Sequence, residues 1–321
     1  MPAHLFYQYL EQNSLLREPK SLYEPADYIL QLGGKRLRPQ LLLMSYQLFR
    51  SDVERALSAA FSIEIFHNFS LVHDDIMDKA DVRRGKPTVH VKYGTNAGIL
   101  SGDAMLILAY QHLAKCESSF LSQILDIFNK FALQVCEGQQ YDVDFEQRAD
   151  VTIPEYLRMI ELKTAVLLAG AMQIGAVLAN ASSEEAQHLY EFGRNIGIAF
   201  QLQDDILDTF GDAATFGKKI GGDISQNKKT FLVLKALEIA GEKSKAELLF
   251  QLSTPTIDDN EAQKIETVTQ IFKKLDILQL ANVVKNGYQQ AAFGHLDALK
   301  VPEERKQALR DLAAEMLVRV I

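Results

Sequence analysis

Apolar residues recur at three- and four-residue intervals along almost the whole chain. Leu41, Leu42, Met44, Leu48 and Phe49 form one such series, and Ile124, Leu125, Phe128, Phe131, Ala132 and Val135 form another. This period gathers the apolar side chains on one stripe of an α-helix, whereas the strict alternation of a half-buried strand is scarce. Helix-breaking clusters interrupt the pattern at Gly33-Gly34, Arg84-Gly85-Lys86-Pro87, Gly94, Ser182-Ser183, Gly211 to Gly222 and Ser253-Thr254-Pro255. The segments between them predict about ten long helices and an all-α fold. Neither a composition shift nor a low-complexity linker divides the chain. Residues 1–321 therefore read as a single domain whose C-terminal third, from about Gly241, is looser and more polar.

With 321 residues, 47% hydrophobic and 24% charged, the chain can bury a sizeable core and lacks the signature of disorder. Its 18 glycines and 8 prolines are few for this length, in agreement with long helices. A formal net charge of −8 argues against a nucleic-acid partner, so an anionic ligand has to be held by local cations. Cys116 and Cys136 are too few for a disulfide framework or a four-ligand zinc site, and read as small core residues in a reducing cytoplasm. The opening MPAHLFYQYL carries neither the basic start nor the long apolar run of a targeting segment. The longest apolar stretch, Thr164 to Ala179, is interrupted by Gln173 and falls short of the ~18 to 20 residues of a transmembrane segment. It reads as the buried helix of a soluble protein.

One short pattern occurs twice. Asp74-Asp75-Ile76-Met77-Asp78 and Asp204-Asp205-Ile206-Leu207-Asp208 lie 130 residues apart, each at the end of an apolar helical run. Residues four apart on a helix stand one turn above each other, so Asp74 and Asp78 make one pair of neighbouring carboxylates and Asp204 and Asp208 another. Burying unpaired carboxylates is costly, and a solvated acidic face does not account for two copies attached to buried runs. Mg2+ prefers one or two carboxylates with waters and substrate phosphates, so two such pairs imply a metal-bridged polyphosphate. DDIMDKADVRRG lacks the glycine and glutamate of an EF-hand loop, and the seven histidines show no zinc-like spacing. Cations are placed to match: Lys35, Arg36 and Arg38 follow Gly33-Gly34, and Arg83, Arg84 and Lys86 follow the first acidic motif. Such groups are what a diphosphate needs in addition to metal. Lys163-Thr164, and Lys218 and Lys228 within GKKIGGDISQNKKT, are further candidates. His67 precedes Asp74 by two helical turns and shares its face.

Together HNFSLVHDDIMDKADVRRGKPTVH, FQLQDDILD, GGKRLRP and GKKIGGDISQNKKT resemble the trans-isoprenyl diphosphate synthases, which elongate prenyl chains head to tail, over roughly residues 25 to 235. The resemblance implies a helical bundle around a deep central cavity, a homodimer, and acidic motifs that face each other at the cavity mouth. It implies Mg2+, three ions with substrate bound, held by Asp74, Asp78 and Asp204 with Asp75 and Asp208 in support. By matching position, Arg83, Lys163, Lys218 and Lys228 contact the diphosphate of an allylic substrate (dimethylallyl, geranyl or farnesyl diphosphate). Lys35, Arg38, His67 and Arg84 are implied to bind that of isopentenyl diphosphate, with Thr164 and Gln201 beside the reacting carbons. Lys163, Thr164 and Gln201 are thus the implied catalytic residues, and the released pyrophosphate the implied proton acceptor. The chain ends Leu317-Val318-Arg319-Val320-Ile321 without the basic tail that closes the site in some farnesyl-forming relatives.

Product length is expected to follow the cavity floor. Phe69 and Phe66 precede Asp74 by five and eight residues, roughly 7.5 and 12 Å along the axis. A helical wheel puts Ser70 closer to the Asp74 face than Phe69, so the wheel does not select the floor. The resemblance does: an aromatic at 69 beside a small residue is similar to the short-chain, archaeal-type geranylgeranyl synthases. A C20 product is expected, with C15 the runner-up. Two alternatives remain: a class I terpene cyclase, which ionises one prenyl diphosphate with a single such motif, and an inactive helical scaffold. The second acidic motif and the separate GGKRLRP cations weigh against the cyclase, and the filled charged positions against the scaffold.

Overall fold

A computed structural model describes residues 2–211 and 220–317. Lys218 and the chain end after Leu317 lie outside the described residues, as do the expectations placed on them. The first half carries α1 (Pro2–Gln12), α2 (Lys20–Gln31), α3 (Leu37–Gln47), α4 (Leu57–Met77), β1 (Val82–Arg83), β2 (Lys86–Pro87), α5 (Val89–Tyr93), α6 (Thr95–Leu113) and α7 (Ser118–Gln147). It continues with α8 (Ile153–Ile160), a π-helical turn (Glu161–Ala165), α9 (Val166–Leu178) and α10 (Ser183–Phe210). The remainder is α11 (Gly222–Ser225), α12 (Phe231–Ile239), α13 (Glu242–Ser253), α14 (Asp258–Lys274), α15 (Ile277–Asp297) and α16 (Glu303–Leu317). The all-α expectation holds, and the breaks at Gly33-Gly34, Arg84 to Pro87, Gly94, Ser182-Ser183 and Ser253 to Pro255 fall where predicted, whereas those at 48–52, 114–117, 148–152 and 275–276 carry no glycine or proline to announce them. Among the described residues the strands are a single two-residue ribbon at Arg84-Gly85, where both φ angles are positive, +53° and +71°, as a tight hairpin turn requires.

Two compact units emerge: residues 1–130, 170–190 and 300–309 form one, and 131–169, 191–299 and 310–321 the other. In unit 1, α4 is apolar around most of its circumference, with Ala59, Ala60, Phe61, Ile63, Ile65 and Phe66 all buried. A helix of that kind belongs at the centre of its neighbours, and Ser62 Oγ ties it to α6 through Ala109 O at 2.7 Å. In unit 2, Tyr156, Ile160, Ile198, Leu202, Ile206 and Phe231 share one core. Leu248, Val268, Phe272, Ile277 and Ala281 belong to that same core. The segment after Gly241 is therefore packed rather than loose, and its polar character comes from the outer faces of α13 to α15.

α8 begins with a reciprocal cap. Thr152 N donates to Glu155 Oε2 at 2.8 Å, Glu155 N donates to Thr152 Oγ1 at 3.4 Å, and Pro154 occupies the first turn. From there to Leu178 the chain is helical without a break, so the buried helix starts some eleven residues before the Thr164 to Ala179 stretch that the sequence pattern singles out. This 26-residue run, Ile153–Leu178, is long and apolar enough to cross a membrane by length and composition alone. Its most apolar window is 78% buried within the protein, the behaviour of a core helix.

Candidate active site

The first acidic motif ends α4. Asp78 is its C-cap residue, with the Asp78 N–H donating to Asp74 O at 2.8 Å, so the two carboxylates stand one turn apart as expected. Asp75 points inward, 1% exposed, and is met by Arg83 from β1. Arg83 Nε donates to the two Asp75 oxygens at 2.9 and 2.8 Å, while Nη2 lies 2.7 Å from Asp75 Oδ1 and 3.5 Å from Asp74 Oδ2. Burial opposes the Arg83 charge, but Asp75, Asp74 and Asp78 outweigh it and hold the guanidinium firmly protonated. Asp75 thus supports the motif by anchoring a cation beside Asp74.

The hairpin turn also delivers Arg84, which donates to Gly33 O. A Cβ at Gly34 would come within 2.9 Å of Arg84 Cζ, so glycine there makes room for the guanidinium. On the other side Arg38 Nη1 lies 3.1 Å from His67 Nε2. Burial, followed by the charges of Arg38, Arg84, Arg83 and Arg36, holds the His67 imidazole well below its ordinary pKa and therefore neutral. Arg38, His67 and Arg84 form one cationic cluster within unit 1, and Lys35 stands exposed at its edge. Arg36 behaves differently from its neighbours. It is 5% exposed, adopts φ +48° at the α3 N-terminus and pairs with buried Glu64 at 2.5 Å, so it fastens the loop instead of offering a charge.

Unit 2 holds the second motif. Lys163 and Thr164 lie in the π-helical turn, a distortion that often marks functional sites. Two glycines let neighbouring helices touch that turn through bare backbone. A Cβ at Gly138 of α7 would lie 2.2 Å from Lys163 N, and one at Gly197 of α10 would lie 2.5 Å from Ala165 Cα. Lys163 Nζ is aimed by a 2.5 Å ion pair with Asp142. Thr164 Oγ1 donates to Gln201 Oε1 at 3.3 Å, Gln201 Nε2 donates to Asp205 Oδ1 at 3.1 Å, and the Tyr156 hydroxyl donates to Asp205 Oδ2. Asp208 Oδ2 accepts from Asp223 N at 3.0 Å and its carbonyl from Gly221 N at 2.6 Å, which fixes the start of α11 against the motif.

Lys163, Thr164, Gln201 and Lys228 line one pocket of unit 2, in which Asp142, Tyr156, Asp205, Asp223, Asn227 and Lys229 also take part. Burial and the nearby carboxylates of Asp223 and Asp204 push the Asp205 pKa well above the ordinary carboxylate value. Sequence reasoning missed these six residues. Asp205, Asp223, Asn227 and Lys229 sit inside motifs already singled out, so their presence there was a usable signal. Asp142 and Tyr156 carry no local pattern that distinguishes them from other helical polar and aromatic positions.

The aromatic residues before Asp74 form a chain. Phe66 is 1% exposed, with ring centroids 5.5 Å from Phe69 and 5.3 Å from Phe128, and Phe69 lies edge-on to His73 at 5.0 Å. Ser70 Oγ turns back to His67 O at 2.8 Å, so its small side chain leaves the bulk at that level to Phe69.

Among the described residues no group of three His, Cys, Asp or Glu side chains converges as a metal cage. Paired hard oxygens such as those of Asp74 and Asp78 nevertheless suit Mg2+, which takes only one or two carboxylates and completes its octahedron with water and phosphate oxygens. The donor set fits that ion.

Comparison with known proteins agrees with this chemistry. Residues 19–274 match the family model described as polyprenyl synthetase. The short chain isoprenyl diphosphate synthase of Methanocaldococcus jannaschii is 41% identical over 255 residues, 79% of this chain and 78% of the relative. The geranylgeranyl diphosphate synthase of Methanosarcina mazei is 42% identical over 254 residues, 78% of this chain and 77% of the relative. A crystal structure of a geranylgeranyl pyrophosphate synthase superposes with a TM-score of 0.95 at 44% identity, covering 99% of this chain and 98% of that one. These likenesses give no support to the terpene cyclase alternative. Two acidic motifs, the first met by Arg83 and the second sharing a pocket with Lys163 and Lys228 through Asp205, on a helical scaffold matched along nearly its whole length, lead to one assignment: the chain belongs to the polyprenyl synthetase family.

Proposed function

We propose that the protein is a short-chain trans-prenyltransferase that condenses isopentenyl diphosphate with an allylic diphosphate and stops at geranylgeranyl diphosphate. The observation that carries this reading is the repeated acidic motif with cations near each copy: Arg83 against Asp74 and Asp75 of the first, and Lys163 and Lys228 in the pocket that Asp205 of the second lines. One acidic pair would serve a single diphosphate, and the separate Arg38, His67 and Arg84 cluster provides for a second.

Asp74, Asp78 and Asp204 would hold Mg2+, which when bound neutralises charge on the departing pyrophosphate. Arg83, Lys163 and Lys228 add fixed positive charge at the allylic diphosphate as its C–O bond breaks, with Lys218 a further contributor. Thr164 and Gln201 present oxygen dipoles to the resulting allylic cation, and Asp205 holds the Gln201 amide in orientation. Lys35, Arg38, His67 and Arg84 position isopentenyl diphosphate so that its double bond meets the cation, and positioning supplies much of the rate. The neutral His67 is suited to hydrogen bonding rather than to charge. The proton lost from the new carbon–carbon bond passes to the released pyrophosphate.

The same reading takes residues 1–321 as one working domain, because four of the five unit boundaries, at 130, 169, 190 and 309, fall inside α7, α9, α10 and α16, and only the one at 299 lies between helices. Domain boundaries normally fall in linkers. A homodimer accounts for the outer face of α6, where Leu100 is 59% and Ile107 57% exposed. Cys116 is buried as a core residue whereas Cys136 is exposed, contrary to expectation, and both being free thiols agrees with cytoplasmic function. The test is incubation with radiolabelled isopentenyl diphosphate, each allylic primer and Mg2+, with chromatography of the products. A labelled C20 diphosphate is the expected result, and no condensation with any primer would overturn the reading.

A further inference from the structure

α14 carries a lysine outside both acidic motifs and all the cation clusters. Lys264 is 2% exposed, and its ammonium donates to Asn227 Oδ1 at 2.6 Å, Thr256 Oγ1 at 2.9 Å and Thr254 O at 3.0 Å. An ammonium has three donors, so its hydrogen-bonding capacity is used up within the protein and Lys264 does not itself reach a ligand. The three acceptors are neutral, and among the described residues no carboxylate pairs with Lys264. Burial lowers its pKa. A buried cation of this kind is a poor device for stability, since an apolar side chain of similar volume avoids the desolvation penalty.

Its place in unit 2 indicates another role. Asn227 and Lys228 both line the pocket, and Asn227 makes the turn out of α11 with φ +57°. α14 and the turn before it grip that segment at successive points. A Cβ at Gly221 would come within 2.6 Å of Ile265 Cγ2, Ser225 Oγ donates to Glu261 Oε1 at 2.8 Å, and Thr256 Oγ1 donates to Ser225 O at 2.5 Å. Lys264 completes the series at Asn227. With Oδ1 engaged by the ammonium, the amide keeps its two N–H donors for the pocket.

We infer that Lys264 is a positioning residue of the allylic diphosphate site, acting through Asn227 to hold the Asn227-Lys228 turn in its anion-binding arrangement. This rests on the reading of the pocket as a prenyl diphosphate site. The contribution is orientation of the Asn227 amide and the Lys228 backbone, reinforced by the buried ammonium behind the pocket wall.

Steady-state condensation kinetics with each substrate varied in turn test the inference. Lys264→Met is expected to raise the allylic KM about tenfold, since hydrogen bonds to a charged group are at stake, while the isopentenyl diphosphate KM moves by less than about twofold. Lys264→Arg should recover part of the loss. In an Asn227→Ala background, Lys264→Met should add little, because both changes remove the same contact. A rise of equal size in both KM values, or effects of the two substitutions that multiply, would overturn the positioning role. Should Lys264→Met fail to fold by circular dichroism, Thr256→Val keeps the amine while removing one of its acceptors together with the Thr256 donation to Ser225 O, both of which hold the same segment. It is expected to give the same allylic bias at smaller size, and its absence counts against the inference equally. A wild-type chain inactive with every primer overturns the function reading instead, so the two failures are distinguishable.

Discussion

Gly138→Ala tests whether bare backbone contact places Lys163 and Thr164. A Cβ at position 138 would lie 2.2 Å from Lys163 N, 2.6 Å from Leu162 C and 2.7 Å from Lys163 Cα. All three are main-chain atoms, so no change of rotamer relieves the overlap. Carbon contacts are comfortable only from about 3.5 Å, and the π-helical turn must therefore withdraw by roughly 1 Å. Overpacking of this kind typically costs about 1–3 kcal/mol. Alanine recovers about 1 kcal/mol of that through helix propensity, leaving a chain that still folds. Catalysis is far more sensitive, because a shift of about 1 Å in positioning groups lowers turnover on the order of a hundredfold. The expected signature is a kcat/KM reduced about a hundredfold with a melting temperature lowered by only a few degrees. Gly287→Ala and Gly294→Ala on α15, where an added Cβ meets nothing within 4 Å, serve as controls. They should leave activity unchanged and raise stability by about 0.5–1 kcal/mol. Wild-type kcat/KM in Gly138→Ala, measured beside a thermal melt followed by circular dichroism, would refute the reasoning.

Asp74→Asn and Asp204→Asn should each lower turnover by orders of magnitude with an unchanged helical spectrum, and excess chelator should do the same to the wild type; full activity in chelator contradicts the metal role. Phe69→Ala removes the ring packed at 5.5 Å on Phe66 and should shift products beyond C20; an unchanged chromatogram moves the chain stop to Phe66. Burial first, and then Lys115 and Arg17, hold the His112 imidazole at a pKa of about 4, below its ordinary 6.5. Between those values the unfolded chain binds a proton that the folded chain does not, so stability should fall as pH drops through that window. His112→Phe, which keeps a ring beside Phe61 at 4.6 Å, should flatten the dependence of melting temperature on pH, and an identical slope rejects the assignment.

Periodicity and punctuation in the sequence suffice to establish that this chain is helical, where the glycine- and proline-marked breaks lie, and that Asp74 with Asp78 and Asp204 with Asp208 stand as neighbouring carboxylates. Those properties depend on residues within a turn or two of one another, and the local pattern carries them. Which way a cation faces is another matter. Lys35, Arg36 and Arg38 look equivalent in GGKRLRP, yet Arg36 turns inward because Glu64, on a different helix, offers a buried carboxylate. The π-helical turn at Glu161–Ala165 has no signature in ELKTA itself. It accompanies Gly138 and Gly197, which bring two distant helices onto its backbone. Asp142 gains its part from Lys163, Tyr156 from Asp205, and Lys264 from Asn227. Each of these pairs joins residues far apart in the chain, and a hydrophobic period reports only that a side chain lies on the polar or the apolar face. Tertiary packing chooses the partner, because a buried polar atom must find a complementary one wherever the fold places it.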